Sequence, residues 1–288
     1  VMIYKEPGNY NLEKLRVIHL FEADFNLMVG ILFGRRAMYH AKDNDLIHKG
    51  QGGRIGGECE DVVLTKVLHI TMAHLTKTPL GIFESDAASC FDRIVMRFAF
   101  LCFKALGAPD KPLQMWEAAL YNVIHGIRTG YGDSEGTYRY TKESPIIGPG
   151  QGSRGGVAAI CALSTILLRT FDKMGHGSRF CDPTQKHFYD CIAQMYFDDE
   201  TNYMNEFISW LHTPADQLEV VEKLQGDAQI WERLLHTSGG ALRAEKCLYY
   251  ALTWEFDEHG EATISEVDPD VSLELSSGTE TARHQIQH

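Results

Sequence analysis

Apolar and polar positions along the chain follow two rhythms, and each change of rhythm marks an expected element. Leu12-Glu13-Lys14-Leu15-Arg16-Val17-Ile18-His19-Leu20 reads as an extended piece leading into a helix, close to the longest apolar stretch around Phe25–Phe33. A glycine cluster (Gly50, Gly52, Gly53, Gly56, Gly57) comes next. Leu64, Leu68, Met72 and Leu75 then follow at spacings of four, four and three, which predicts a helix ended by Thr78-Pro79. Residues 80–86 read as a buried strand. A helix is expected from about Arg93 to Leu106 with Ile94, Phe98, Leu101 and Ala105 inward, Gly107 just past its end and Pro109 as a stop. Another covers about 114–125 and ends at Gly126. Residues 127–141 look like a hairpin turning at Asp133-Ser134-Glu135-Gly136.

Gly148-Pro149-Gly150-Gln151-Gly152-Ser153-Arg154-Gly155-Gly156 opens a strongly apolar helix at about 156–173, and 176–188 is polar and loop-like. Residues 191–204 read as two short strands joined at Asp198-Asp199. Leu218, Val221, Leu224, Ala228, Trp231 and Leu235 mark a helix ended by Gly239-Gly240. Leu248, Tyr250, Leu252, Trp254 and Phe256 alternate without a break, so 247–256 is a strand. After about 257 the chain is acidic, Ser/Thr-rich and without sustained periodicity, which predicts a loose tail. No internal repeat is visible. Strands and helices mix without regular alternation, so the expected class is α+β, with a mostly antiparallel sheet backed by helices.

The 288 residues, 44% hydrophobic and 23% charged, correspond to about two domains or one large one. That is enough apolar material for a core without disulfides or metal. No apolar run approaches the roughly 18–20 residues of a membrane span. Val1–Asn11 lacks the charged and apolar regions of a secretory signal, and a start without Met suggests a piece of something longer. Seven cysteines without a CxxC pair predict reduced thiols and an intracellular setting, nucleus or cytoplasm. There is no HExxH. A net charge of −12 argues against broad nucleic-acid affinity, but residues 255–288, with nine acidic and one basic side chain, carry −8 of it.

The candidate chemistry lies in carboxylates. Asp86 ends a buried strand, and Asp198-Asp199 sit at a hairpin tip; a strand end and a hairpin tip can meet on one sheet. Carboxylates brought that close stay ionised only beside a cation. Two hard cations sharing them is the layout of two-metal phosphoryl transfer. Taken singly, Asp-Asp is an ordinary turn pair and Asp86 an ordinary helix cap.

In order and at these distances, the residues resemble the reverse transcriptase family, closest to the non-LTR retrotransposon type, over nearly all of 12–256. Motif A is matched by Asp86-Ala87-Ala88-Ser89-Cys90-Phe91-Asp92. Motif C is matched about 110 residues later by Tyr196-Phe197-Asp198-Asp199. Motif B is matched by Gln151-Gly152-Ser153, with Arg154 where the family commonly has Pro. Motif D is matched by Gly239-Gly240-Ala241-Leu242 and Lys246. Lys14-Leu15-Arg16-Val17-Ile18 looks like the basic strand that touches the triphosphate. Gln51-Gly52-Gly53-Arg54-Ile55-Gly56 looks like the family's Gln-x-Gly-x-Arg-x-Gly segment, one residue short.

The resemblance implies a polymerase palm over 80–256 with a finger insertion around 108–150, a fingers-like region over 1–79, and the acidic loose tail over 257–288 in place of most of a thumb. It implies that Asp86 and Asp198 bridge Mg²⁺ (or Mn²⁺), with Asp199 supporting or ligating weakly. Phe91 would lie under the nucleotide sugar and exclude a 2′-hydroxyl. Gln151 and Gly152 would lie against the nascent base pair, Arg16 and Arg54 would neutralise the triphosphate, and Lys246 would protonate the leaving pyrophosphate. The implied function is RNA-directed DNA polymerase, with RNA template, DNA primer and dNTP as partners, no membrane, and further domains of a longer polyprotein. Two alternatives stand beside it. An RNA-templated RNA polymerase usually has Gly-Asp-Asp at motif C and a polar residue at the sugar position. The other is a catalytically silent retroelement-derived module that binds nucleic acid or a partner.

Overall fold

The computed structural model describes residues 2–4, 8, 11, 15–129, 131–141, 143–144, 147–182, 184, 186–205, 217–265, 272–276 and 283–286. The chain divides into two compact units, one formed by 1–47 and 89–163, the other by 48–88 and 164–288. All seven cysteines lie outside any disulfide. Among the described residues, no helix is long and apolar enough to cross a membrane.

In the first unit, β1 (Met2–Tyr4) pairs antiparallel with β2 (Leu15–Val17). Then α1 (Ala23–Val29) runs through a π-helical stretch, Gly30–Ala37, into α2 (Met38–Asp43). A short α4 (Cys90–Arg93) precedes α5 (Met96–Ala105) and α6 (Asp110–Asn122). The core is aromatic: Phe33 packs on Trp116 at 4.5 Å and on Phe103 at 5.2 Å between ring centroids. Such pairs contribute about 0.5–1.5 kcal/mol beyond their buried area. This core corrects the expected face of α5. Leu101 and Ala105 are exposed, whereas Met96, Ala99, Phe100, Cys102, Phe103 and Leu106 point inward. Two ring-sized side chains, not an even four-residue stripe, set the buried side. Gly107, at φ +89°, ends the helix as expected.

The hairpin of β4 (His125–Thr129) and β5 (Gly132–Tyr138) turns just before Gly132, earlier than Asp133–Gly136. Gly136 lies inside β5. Every residue of β5 is exposed, so no buried alternation marked the strand ends in the sequence.

The second unit is built on a five-stranded antiparallel sheet, which in order across the sheet consists of β11 (Ala262–Ser265), β10 (Leu248–Phe256), β3 (Leu80–Asp86), β9 (Asp199–Asn205) and β8 (Ala193–Tyr196). Helix α3 (Cys59–Thr76) covers one face and α8 (Gln217–Thr237) the other. Period-two geometry assigns the faces. Leu80 and Ile82 join Ala73 and Tyr203 in one buried cluster, while Gly81 meets Leu224 of α8. Helix α7 (Gly156–Phe171) contributes its first half to the first unit and its second half to the second.

Three expectations change here. The apolar stripe that announced α3 faces outward: Leu64, Leu68 and Leu75 are exposed, and the buried positions are His69 and Ala73. A flat imidazole stacked 4.0 Å from Tyr203 and a small Ala let the helix approach the sheet closely. Residues 176–188 are not all loop, because β6 (Ser178–Cys181) pairs with β7 (Phe188–Cys191). Their outward residues, including the Arg179–Asp190 ion pair at 2.5 Å, gave them a polar signature.

The expected loose tail also contains strands. Besides β11, β12 (Leu273–Ser276) pairs with β13 (Arg283–Ile286). Leu273 and Leu275 are buried, and the Gln225 side chain of α8 both donates to the Glu274 carbonyl (2.5 Å) and accepts its N–H (2.6 Å). Two apolar positions among acidic ones are too short a run for a period to show.

Candidate functional site

The second unit brings the motif A and motif C carboxylates together. Strand β3 pairs with β9 in a register that sets Asp86 directly opposite Asp199. Strands β8 and β9 close at Tyr196↔Asp199, which leaves a two-residue loop, Phe197-Asp198. Tight hairpins of this length need positive φ in the loop, and Phe197 adopts φ +59°. That is rare for a side chain with a Cβ and costs about 1–2 kcal/mol. The strained turn puts Asp198 at the tip, where its carbonyl accepts the Ala87 N–H at 3.1 Å. Asp86 is half-buried, and Asp198 and Asp199 reach solvent. Partial burial, then the charges of Asp198 and Asp86, hold the Asp199 carboxyl above the usual carboxylate range, while Lys246 pulls it back.

The motif D segment is stitched to the same strand end. Ala87 bridges to Leu242, the Ala88 N–H donates to the Ala241 carbonyl at 2.8 Å, and the Arg243 N–H donates to the Asp86 carbonyl at 2.9 Å. Lys246 follows, and its Nζ donates to Asp86 Oδ2 at 2.9 Å.

Arg54 reaches this neighbourhood through the glycine cluster. Residues 50–52 lie along β8 as a short parallel addition to the sheet: Met195 N–H donates to the Gly50 carbonyl (2.9 Å) and Gly52 N–H to the Met195 carbonyl (2.8 Å). A Cβ on Gly50 would sit 2.4 Å from the Ala193 carbonyl oxygen, so the approach requires glycine. The buried Gln51 side chain fastens the segment, donating to Ser164 and accepting the Gly53 N–H. Gly53 lies against the Phe197 ring. Arg54, next along, is exposed beside the motif C turn.

The remaining candidates belong to the first unit. The Phe91 ring lies beside Gly156 at the start of α7. The Gln151 backbone carbonyl accepts the His19 N–H at 2.7 Å, and Gly152, at φ +100°, packs against the His19 carbonyl. Arg16 lies on β2, but its side chain, like all of Lys14, is outside the described residues. The motif B departure has a local reason: Arg154 N–H donates to Asn26 Oδ1 (2.7 Å), and Asn26 Nδ2 donates to the Gly152 carbonyl (3.2 Å). Proline at 154 would have no N–H to give Asn26.

Carboxylate oxygens of Asp86, Asp198 and Asp199 are the donor type that hard divalent cations take. Among the described residues, however, no group of three or more His, Cys, Asp or Glu side chains is disposed to hold a metal ion. The Lys246 ammonium is the cation on Asp86. The donor atoms are of the type Mg²⁺ takes, but the described side chains do not form a three-ligand group for it.

The sequence did not assign Ser85, Glu200 or Trp231 to the site, although Trp231 was read as a helix position; all three lie behind the carboxylates. Ser85 Oγ donates to Glu200 Oε2 at 2.7 Å, and Trp231 Nε1 donates to Ser85 Oγ at 3.1 Å. The available signal was slight: Glu200 follows two aspartates and precedes five uncharged residues of β9.

No protein-family model matches the sequence, and no curated protein matches it. Solved structures do resemble it. Apo telomerase from Candida tropicalis, truncated from the C-terminal domain, has a TM-score of 0.51 at 9% identity, covering 84% of this chain and 45% of that one. Telomerase from Candida albicans, in complex with the TWJ fragment of telomeric RNA, has a TM-score of 0.45 at 11% identity, covering 90% and 36%. The chain thus spans less than half the length of these telomerase chains. The mixed fold, an antiparallel sheet backed by helices, is similar to that of the truncated Candida tropicalis telomerase.

Proposed function

We propose that the chain is the polymerase portion of an RNA-directed DNA polymerase of a retroelement, adding dNTPs to a primer 3′ end on an RNA template. The observation that carries this reading is Asp86 opposite Asp199 on β3–β9, with Asp198 at the adjoining tip and Lys246 on Asp86. Asp86 and Asp198 would hold Mg²⁺, with Asp199 at their side. Bound there, the ions would lower the pKa of the primer hydroxyl and neutralise charge on the leaving pyrophosphate. Lys246 would leave Asp86 and give its Nζ proton to the pyrophosphate. Arg54 and Arg16 would pair with phosphate oxygens. Gln151 and Gly152 would flank the base pair, and Phe91, five residues beyond Asp86, would exclude the 2′-hydroxyl. Similarity to a telomerase fold agrees with this reading.

A second reading is a catalytically silent module that binds nucleic acid or a partner. It is favoured by the lack, among the described residues, of a three-ligand metal group. Primer extension on an RNA template with Mg²⁺ separates the two. The expected result is dNTP incorporation, abolished by Asp198→Asn. Incorporation of rNTP only would indicate an RNA polymerase. A folded chain that incorporates nothing would favour the silent module.

A further inference from the structure

The face of the sheet opposite Asp86 and Asp199 carries an unusual polar layer. One residue back on β3 and one residue on along β9, Ser85 and Glu200 are again directly opposite each other. Both are buried, and they are hydrogen-bonded at 2.7 Å. Trp231, fully buried on α8, donates to the same Ser85 hydroxyl at 3.1 Å. Glu200 Oε1 and both amide atoms of Asn202, two residues along the same face of β9, are buried without a hydrogen-bond partner among the described residues. Burying such groups is costly, and an apolar pair at 85 and 200 would join the two strands to α8 without that cost.

Strand geometry gives this layer a consequence. Side chains alternate between faces, so whatever fixes 85 against 200 also fixes 86 against 199. A one-residue slip would turn every side chain to the other face. Ordinary apolar packing resists separation of the strands but tolerates small sliding. A hydroxyl held between an indole N–H and a carboxyl oxygen is directional and does not. Helix α8 thereby holds the two strands through one shared hydroxyl.

We infer that Ser85, Glu200 and Trp231 are positioning residues that hold Asp86 and Asp199 in productive register from behind the sheet. This rests on the polymerase reading for its kinetic consequence, but not for its structural one. Glu200→Gln keeps an acceptor for Ser85 of the same shape, Glu200→Leu removes it, and Ser85→Ala removes the shared hydroxyl.

The test combines primer-extension kinetics with hydrogen exchange of the Ala87 amide, which donates to the Asp198 carbonyl. Glu200→Leu and Ser85→Ala, confirmed folded by their melting transitions, should lower kcat about tenfold or more with KM for dNTP changed less than twofold. Their Ala87 exchange should be at least severalfold faster, and Glu200→Gln should recover both readouts. Folded Glu200→Leu protein with unchanged kcat and unchanged Ala87 exchange would overturn the inference. Should the wild-type chain incorporate no nucleotide, the polymerase reading fails separately. The inference then stands or falls on Ala87 exchange, and on whether Glu200→Gln restores what Glu200→Leu loses.

Discussion

Lys246 Nζ lies 2.9 Å from Asp86 Oδ2, although the two residues are 160 positions apart. The same segment reaches the Asp86 backbone, because the Arg243 N–H donates to the Asp86 carbonyl. Side chain and main chain of one carboxylate are thus addressed by a single short stretch after α8. On the proposed polymerase reading, this amine is the one that would give a proton to the leaving pyrophosphate.

The pair's contribution to stability and its contribution to chemistry should separate cleanly. About half of the Lys246 side chain is exposed, and exposed ion pairs contribute about 0–1 kcal/mol. Lys246→Ala should therefore move the melting temperature by no more than about 3 °C. Nucleotide incorporation should fall by about 100-fold, the usual scale for a lost general acid. Differential scanning fluorimetry beside single-turnover primer extension reads both. Equal losses in folded protein and in activity would reduce Lys246 to a structural role.

Gly50 offers a test of the segment that carries Arg54. An added Cβ would sit 2.4 Å from the Ala193 carbonyl oxygen, a backbone atom, and 3.1 Å from the His48 ring. Gly50→Ala should destabilise the second unit by about 1–3 kcal/mol, as overpacking does. It should also detach residues 50–52 from β8, which hydrogen exchange at the Gly52 and Met195 amides would report. Undisturbed exchange at both would mean that the segment tolerates the methyl.

What the sequence made legible follows from which residues are buried. Strand β3 and helix α8 were readable because their repeating positions are core positions, such as Leu80 and Ile82, or Leu224 and Trp231. Strand β10 was readable from an alternation that mostly faces outward: Leu248, Tyr250 and Phe256 are exposed, and Tyr249 between them is buried. In α3 the repeat was real but named the wrong side, since periodicity detects a stripe without saying what covers it. Strands β6, β7 and β12 are short and edged with charge, so no period could accumulate. Asp86, Asp198, Asp199 and Lys246 were legible as spaced motifs, and the fold brings all four to one strand end. Glu200 was not, because a lone glutamate beside two aspartates reads as one more solvated acid.

On the proposed polymerase reading, Phe91 is the candidate sugar gate. Its ring lies beside Gly156, and as a rigid aromatic it would block a 2′-hydroxyl by volume rather than by hydrogen bonding. Phe91→Ala should raise the ratio of rNTP to dNTP incorporation by at least about tenfold, equivalent to about 1.4 kcal/mol of lost discrimination. Competition between ATP and dATP on one template measures it. Unchanged selectivity in an active variant would remove Phe91 from the nucleotide site.

His69 predicts how stability depends on pH. Its Nδ1–H donates to the Thr65 carbonyl at 2.8 Å, its Nε2 lies 2.9 Å from the Ser178 hydroxyl, and its ring stacks on Tyr203. Burial pulls its pKa below the ordinary 6.5, partly offset by the bond to Thr65. The folded state therefore binds this proton less readily than the unfolded chain does. Its stabilising contribution is complete above about pH 6.5 and is lost as pH falls from there through the lower folded pKa. His19 and His125, lowered for the same main reason, act in the same direction, while the buried Glu200 carboxyl and Asp199, held above the usual carboxylate range, act in the opposite one. The quantity to read from denaturant unfolding between pH 8 and pH 5 is therefore the difference from His69→Gln. That variant should cost about 1–3 kcal/mol at pH 8 through lost stacking and hydrogen bonding and show a shallower decline in acid. A variant whose slope matches the wild type would mean that His69 is protonated in the folded protein as readily as in the unfolded chain.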